Sequence, residues 1–175
     1  MRKKLIVLFM AIFMYSTSNS QTTKMNNSNP CAEIQDKMAI KNVVDTFSIL
    51  ADQKEITKQT LLFTEDAIVE SNVPGQPVMA LKGRKQIGDV FGSFLNNFDI
   101  VYHINGQQTV ELNGNVAHGI SYCLVTLIGD VGGKKMKTTM GVYYNDDFVK
   151  RENQWLISKR VSTFAWQERS ELMGN

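Results

Sequence analysis

The final third of the chain alternates between apolar and polar residues, and this period of two predicts long β-strands. Between Gly141 and Trp166 the alternation forms two strands joined by a polar turn at 151–153. The residues predicted to share one face of this hairpin are Val142, Tyr144, Asp146 and Phe148 on its first strand and Trp155, Ile157, Lys159 and Val161 on its second. A hairpin with so long an apolar face needs a layer of helices to cover it.

Three earlier segments carry apolar residues at helical spacing and can supply that layer. The first helix is predicted to begin near Ala32 and to end near Asp52, and the second to span 56–63. A short strand follows at 67–70, and a third helix opens at Gly83 after a loop. This order, with helices first and most strands afterwards, is typical of an α+β fold.

The segment from 99 to 133 predicts further strands. They are placed at 100–105, 107–112 and 116–128, with a hairpin turn at Asn113-Gly114-Asn115. One face of the last strand carries a row of small side chains, namely Ala117, Gly119, Ser121, Cys123 and Val125. Such a row leaves space for either a closely packed helix or a cavity. The predicted fold is therefore three N-terminal helices packed on a curved antiparallel sheet.

The N-terminus has the layout of a secretory signal peptide. Basic residues at 2–4 precede an apolar run at 5–15, and small residues occupy the −3 and −1 positions of a cut before Gln21. The apolar run is too short to cross a bilayer, so an uncleaved anchor is the weaker alternative. The predicted organisation of the chain is a signal peptide at 1–20, a polar tether at 21–30, one domain at 31–170 and a tail at 171–175. We therefore expect a secreted or periplasmic protein.

Removal of the signal peptide changes the charge of the chain. The chain has 19 Lys and Arg residues against 17 Asp and Glu, and the signal peptide holds three of the basic residues. The mature protein then carries 16 basic and 17 acidic residues, a net charge of −1. With this balance the mature protein has no excess of positive charge to attract nucleic acid or an anionic membrane, so we expect neither as a partner.

Two cysteines, Cys31 and Cys123, would meet oxidising conditions outside the cytoplasm, so a disulfide between them is permitted. Their spacing leaves the pairing open, and Cys123 in mid-strand is better accounted for as a small buried apolar residue. The sequence has no CxxC or HExxH motif and no cluster of His and Cys, which argues against a dedicated transition-metal site.

The order of several landmark residues resembles the SnoaL-like branch of the nuclear transport factor 2-like superfamily. The landmarks are Asp52, Thr64-Glu65-Asp66-Ala67, Gly83-Arg84, His103, Gly114, Trp155 and Arg160. The resemblance spans residues 34–166 and looks like the subgroup that includes scytalone dehydratase and polyketide-modifying proteins. It implies a cone-shaped α+β barrel whose helices and sheet enclose an apolar pocket for a small molecule. Proteins of this superfamily are often dimeric through the sheet, so the resemblance also implies a homodimer.

The same resemblance implies candidate site residues. Asp52 and His103 stand where the dehydratase has a catalytic Asp after its first helix and a His that opens a central strand. Other pocket positions of the dehydratase carry different residues here, so its own substrate is not expected. The candidate substrate-binding residues are Tyr144, Ser121 and Ser71, which fall at or near those positions, and Cys123 on the small-residue face.

Each catalytic candidate also has a structural interpretation. Asp52 could instead end its helix by bonding to local backbone, and His103 could be a core histidine with satisfied hydrogen bonds. If the two converge, the carboxylate would fix the imidazole tautomer and leave the other ring nitrogen free to exchange protons. Such a pair can abstract a proton next to a carbonyl and return it to a leaving hydroxyl or a neighbouring carbon.

The sequence therefore predicts a cofactor-free lyase or isomerase that acts on a small apolar or aromatic molecule. The alternative is a secreted protein of the same fold that binds such a molecule without chemistry, and a third possibility is an interaction protein that uses its sheet as an interface. The distance from the Asp52 carboxylate to the His103 ring discriminates between the first two.

Overall fold

A computed structural model describes residues 30–172 of the chain. The predicted signal peptide, the tether up to residue 29 and the last three residues of the predicted tail lie outside the described part. Within residues 30–172, no helix is both long and apolar enough to cross a membrane.

Three helices and six strands make up the described residues. The helices are α1 (Pro30–Asp52), α2 (Ile56–Thr60) and α3 (Gly83–Leu95). The strands are β1 (Phe63–Asn72), β2 (Met79–Lys82), β3 (Ile100–Asn113), β4 (Val116–Val131), β5 (Lys134–Arg151) and β6 (Gln154–Glu171). The predicted α+β architecture, in which helices cover a curved sheet, is confirmed.

The six strands form one unclosed sheet in the order β2-β1-β6-β5-β4-β3. Strands β3 to β6 are joined by hairpins and are antiparallel, whereas β1 pairs with β6 in parallel. Strand β2 was not predicted, because it has only four residues and follows a loop rich in Pro and Gly. The second helix is shorter than predicted, because the chain enters β1 at Phe63, where pairing with Ile157 outweighs the helical pattern.

A β-bulge in β6 changes which of its residues face the helices. Asp147 pairs with Lys159 and Phe148 with Ile157, so Ser158 is an extra residue in the ladder. The prediction that Lys159 and Val161 continue the inner face begun by Trp155 and Ile157 is therefore wrong. Their places are taken by Arg160 and Ser162, which are buried.

The interior has two apolar clusters between the helices and the sheet. One is centred on Phe47, Phe63 and Phe148, and the other on Leu95 and Met140. The small-residue face of β4 points into this interior: Ala117, Ser121, Cys123 and Val125 are all buried. Residues of both clusters, Phe47 and Met140 among them, also line a hollow on the concave side of the sheet.

Asp36 connects the start of α1 to the β5–β6 hairpin. Its Oδ1 accepts hydrogen bonds from Lys150 Nζ at 2.6 Å and from Trp155 Nε1 at 2.9 Å. These two hydrogen bonds and the attraction of the Lys150 charge lower the pKa of Asp36 below its ordinary value, although partial burial acts in the opposite direction.

The Asp36→Asn substitution is expected to lower the free energy of unfolding by about 1–2 kcal/mol at neutral pH, because two bonds to a carboxylate are weakened. A lowered pKa in the folded state stabilises the protein above the unfolded pKa, and this stabilisation is lost as pH falls below about 4. Urea denaturation at several pH values should therefore show the two proteins converging in acid. Glu33→Gln, which removes an exposed partner of Lys37, serves as control. Parallel stability curves for wild type and Asp36→Asn would contradict this account.

Candidate functional site

A cavity of about 370 Å³ lies between the helices and the concave face of the sheet. Its wall is mostly apolar, with aromatic rings from α1 and α3 and aliphatic side chains from β4 and β5. The polar residues that line it are Gln59, Ser71, Gln76, His103, Tyr144 and Ser162. Small-molecule sites commonly have this size and this combination of an apolar wall with a few polar groups.

His103 and Asp52 meet at the wall of this cavity. His103 Nδ1 lies 2.6 Å from Asp52 Oδ1, and the backbone N–H of His103 donates to Asp52 Oδ2 at 3.2 Å. The His103 side chain is 7% exposed and lines the cavity, whereas Asp52 is 23% exposed and is not among the lining residues. The imidazole therefore faces the cavity and the carboxylate lies behind it.

The position of Asp52 carries an electrostatic cost. It is the last residue of α1, where the partial negative charge of the helix end disfavours a carboxylate. Its oxygens bond to a residue on β3, so the carboxylate does not simply cap its own helix. An ionised carboxylate can only accept hydrogen bonds, so a contact between ionised Asp52 and a neutral imidazole favours the tautomer with its proton on Nδ1, in which Nε2 is unprotonated.

Three hydroxyl groups lie in one row across adjacent strands in the wall of the cavity. Tyr144 pairs with Ser162, and Ser162 pairs with Ser71, so the row crosses β5, β6 and β1. Burial is the main cause that raises the pKa of Tyr144, and the nearby Cys123 raises it further. Tyr144 is therefore protonated at neutral pH and can donate a hydrogen bond.

Ser121 and Cys123 are buried beside this row but are not among the residues that line the cavity. Ser121 pairs with Tyr144 across the ladder, and its hydroxyl accepts a hydrogen bond from Gln108 Nε2 at 3.0 Å. Cys123 is a free thiol, and burial raises its pKa to about 11. Of the four candidate substrate-binding residues, Ser71 and Tyr144 thus reach the cavity and the other two support its wall.

A buried ion pair lies next to Tyr144. Arg160 Nε and Nη2 donate to the two carboxylate oxygens of Asp146 at 2.8 and 2.7 Å, and both side chains are at most 1% exposed. The guanidinium carbon lies 4.1 Å from the centre of the Tyr144 ring and 4.2 Å from that of Phe47. Burial is the largest single influence and acts to lower the pKa of Arg160, but the charge and the hydrogen bonds of Asp146, with smaller contributions from Tyr144 and Cys123, together outweigh it, so the net shift is upward.

Several residues around the cavity were not foreseen from the sequence. Ser162 was missed because the bulge at Ser158 moves it to the inner face. Phe91 and Phe94 belong to the predicted apolar stripe of α3, but an apolar stripe alone does not separate cavity wall from solid core. The described residues contain no group of three or more His, Cys, Asp and Glu side chains placed to hold a metal ion.

Comparison with known proteins places this architecture in a family. The model of the SnoaL-like domain family matches residues 32–161. The chain belongs to the SnoaL-like family. Uncharacterized proteins of Mycobacterium tuberculosis and Mycobacterium bovis are each 28% identical to this SnoaL-like chain over 138 residues, which are 78% of this chain and 90% of theirs.

Solved structures share the SnoaL-like fold with this chain. A candidate scytalone dehydratase from Novosphingobium aromaticivorans has a TM-score of 0.70 at 18% identity, covering 83% of this chain and 93% of that protein. A type 3 LinA hexachlorocyclohexane dehydrochlorinase from Novosphingobium barchaimii has a TM-score of 0.66 at 17% identity, covering 83% and 96%. At these identities the likeness shows the fold, and function has to be argued from the site.

Proposed function

We propose that this protein is a cofactor-free lyase or isomerase in which Asp52 and His103 act as an acid/base pair on a small apolar or aromatic molecule. The observation that carries the proposal is the 2.6 Å contact between the Asp52 carboxylate and Nδ1 of an imidazole that lines an apolar cavity. The proposal is supported by the dehydratase and dehydrochlorinase among the proteins of similar fold, since both names describe elimination reactions.

Nε2 of His103 would act first as a general base. Its lone pair takes a proton from a carbon next to a carbonyl or next to a leaving group, and the electron pair of that C–H bond moves into the substrate. Asp52 stabilises the imidazolium that forms, because its charge lies against Nδ1. The imidazolium then returns the proton to a leaving hydroxyl in a lyase or to a neighbouring carbon in an isomerase.

The hydroxyl row would orient the substrate during this transfer. Negative charge develops on a carbonyl oxygen when the adjacent carbon loses a proton, and a hydrogen-bond donor at that oxygen lowers the barrier. Tyr144 can supply this donor, because it lines the cavity and its phenol stays protonated there. Ser71 and Ser162 supply further hydroxyl groups on neighbouring strands.

The proposal is tested by measuring proton exchange into a set of ketone probes. This measurement does not require the natural substrate. The protein is incubated in D2O with a panel of aromatic and alicyclic ketones, beginning with β-tetralone, and deuterium uptake is followed by mass spectrometry. Hexachlorocyclohexane is included as a probe of elimination. We expect at least one compound to react faster than in buffer, and a panel that reacts only at the buffer rate would contradict the proposal.

A binding protein without chemistry is the second candidate, and one contact favours it. Asp52 accepts a hydrogen bond from the backbone N–H of His103 as well as contacting the ring, so the pair also fastens α1 to β3. On this alternative, apolar ketones bind in the cavity with measurable affinity, yet none of them exchanges deuterium.

The proposal includes a homodimer through the outer face of the sheet. Tyr102, Ile104, Tyr122 and Trp166 are each about half exposed on this side of β3, β4 and β6. Exposed apolar residues grouped in this way often mark an interface. Light scattering should give twice the monomer mass, and Ile104→Glu should yield a monomer. A monomeric wild-type protein would remove this part of the proposal.

The location outside the cytoplasm is likewise proposed from the sequence. Residues 1–20 carry the signal-peptide pattern, so a mature protein that begins at Gln21 is expected. Expression of the full chain in a bacterial host, followed by fractionation and N-terminal sequencing, tests this expectation. An intact N-terminus in the cytoplasmic fraction would exclude it.

A further inference from the structure

Asn105 forms a set of hydrogen bonds between β3 and α1. Its Oδ1 accepts from Ser48 Oγ at 3.0 Å. Its Nδ2 lies 3.2 Å from the backbone oxygen of Val44 and 3.0 Å from Asp45 Oδ1. One side chain on the sheet thus contacts three residues of the helix, and every one of these contacts is directional.

These contacts continue the line of polar groups that ends at the Asp52–His103 pair. On α1, residues 45, 48 and 52 follow one another at spacings of three and four, so they share one face of the helix. On β3, His103 and Asn105 are two residues apart and point to the same side of the sheet. His103 and Asn105, which are neighbours on one face of β3, therefore contact neighbouring turns of α1.

We propose that Asn105 is a positioning residue that sets the register of α1 on β3, so that the Asp52 carboxylate meets Nδ1 of His103. The inference rests on the proposed function, because it assigns Asn105 a role in preparing that pair. Asn105 does not itself line the cavity, and it acts only through the placement of Asp52.

The physical reason is that hydrogen bonds are directional and specify a position more narrowly than burial of apolar surface does. Close packing excludes large shifts of α1, and the bonds of Asn105 fix its position to within the range of a hydrogen bond. A shift of about 1 Å would stretch a 2.6 Å contact beyond hydrogen-bond range. Hydrogen bonds from Asn105 to two successive turns resist such a shift, because all of them would lengthen together.

The tautomer of His103 reports this placement directly. The chain contains two histidines, and the second, His118, is exposed on the outer face of the sheet and contacts Asp147. In protein labelled with ¹⁵N-histidine, the ring nitrogen chemical shifts give the tautomer of each residue in its neutral form. His118 therefore serves as a reference within the same molecule.

In the wild type we expect His103 to carry its proton on Nδ1. In Asn105→Ala, the ratio of the Nδ1–H to the Nε2–H tautomer should fall by about tenfold, because a charge-assisted hydrogen bond of this strength is weakened. His118 should be unchanged. Lys41→Ala is the matched control, since Lys41 contacts Asp45 on α1, and its removal leaves the bonds of Asn105 to Ser48 and Val44 in place.

Each result has a defined meaning. If Asn105→Ala leaves the His103 tautomer unchanged, or alters both histidines equally, the positioning role is overturned. If Asn105→Ala does not fold, Ser48→Ala decides, because it removes one of the bonds and should produce a smaller change in the same direction. A wild-type His103 with its proton on Nε2 would overturn the Asp52–His103 pair itself, and the proposed function with it.

Discussion

Replacing His103 by alanine is expected to reduce catalysed proton exchange by about 10²–10⁴-fold, the range that general acid–base catalysis contributes. The substitution removes the only imidazole that lines the cavity among the described residues. It leaves the apolar wall in place, so binding of an apolar ketone should change little. The measurement is the rate of deuterium incorporation into the most reactive ketone of the panel, together with its dissociation constant.

Asp52→Asn should reduce the rate of proton exchange by a smaller factor than His103→Ala. Asp52 orients and stabilises the imidazole, whereas His103 itself takes the proton. An asparagine amide can donate as well as accept, so it no longer requires the proton to be on Nδ1. It also lacks the charge that stabilises the imidazolium. His118→Ala is the control, since His118 makes a similar contact with Asp147 on the outer face of the sheet. Equal rates for wild type and His103→Ala would remove the catalytic proposal and leave the binding protein.

Replacing Asp146 by alanine is expected to lower the free energy of unfolding by about 3–5 kcal/mol. The substitution leaves the guanidinium of Arg160 in the interior without its carboxylate, and its Nη1 already has no hydrogen-bond partner among the described residues. A buried charge without a partner is costly, whereas the intact pair is close to neutral relative to apolar residues. Urea denaturation followed by circular dichroism measures the change.

Two further variants distinguish loss of the charge pair from loss of packing. The double variant Asp146→Leu/Arg160→Met removes both charges and should recover much of the stability lost in Asp146→Ala. Lys134→Ala breaks an ion pair with Glu171 whose side chains are 63% and 49% exposed, and it should cost less than about 1 kcal/mol. An Asp146→Ala protein as stable as Lys134→Ala would show that the buried pair is not required.

The regular parts of the fold could be predicted because local pattern and tertiary packing agree in them. The apolar spacing along α1 and α3 is compatible only with helices. The alternation along β4 and β5 is compatible only with strands. The prediction failed where a contact distant in sequence outweighs a local signal. Phe63 extends an apolar helical run, yet it begins β1, because that strand pairs with β6.

The candidate site was predictable only in part. Asp52 and His103 were identified from the ordered landmarks of the SnoaL-like family, not from their own neighbours in the sequence. The sequence could not show which of the four substrate-binding candidates reach the cavity, because all four lie in or beside its inner wall. The structure distinguishes Ser71 and Tyr144, which line the cavity, from Ser121 and Cys123, which do not. Asn105 could have been found from its spacing of two from His103, but its partners on α1 could not.

The extra residue at Ser158 has a consequence for how this strand can vary. Ser158 lies between the pairs Phe148–Ile157 and Asp147–Lys159, so the ladder on either side is regular and, within 157–159, Ser158 alone lacks a paired residue on β5. Deletion of Ser158 alone would make those two pairs consecutive, so Arg160 would still face Asp146, Ser162 would still face the cavity, and the strand would lose only its local bend. Alignments or designed variants of β6 should therefore treat the segments on either side of Ser158 as separate blocks and allow a gap at residue 158.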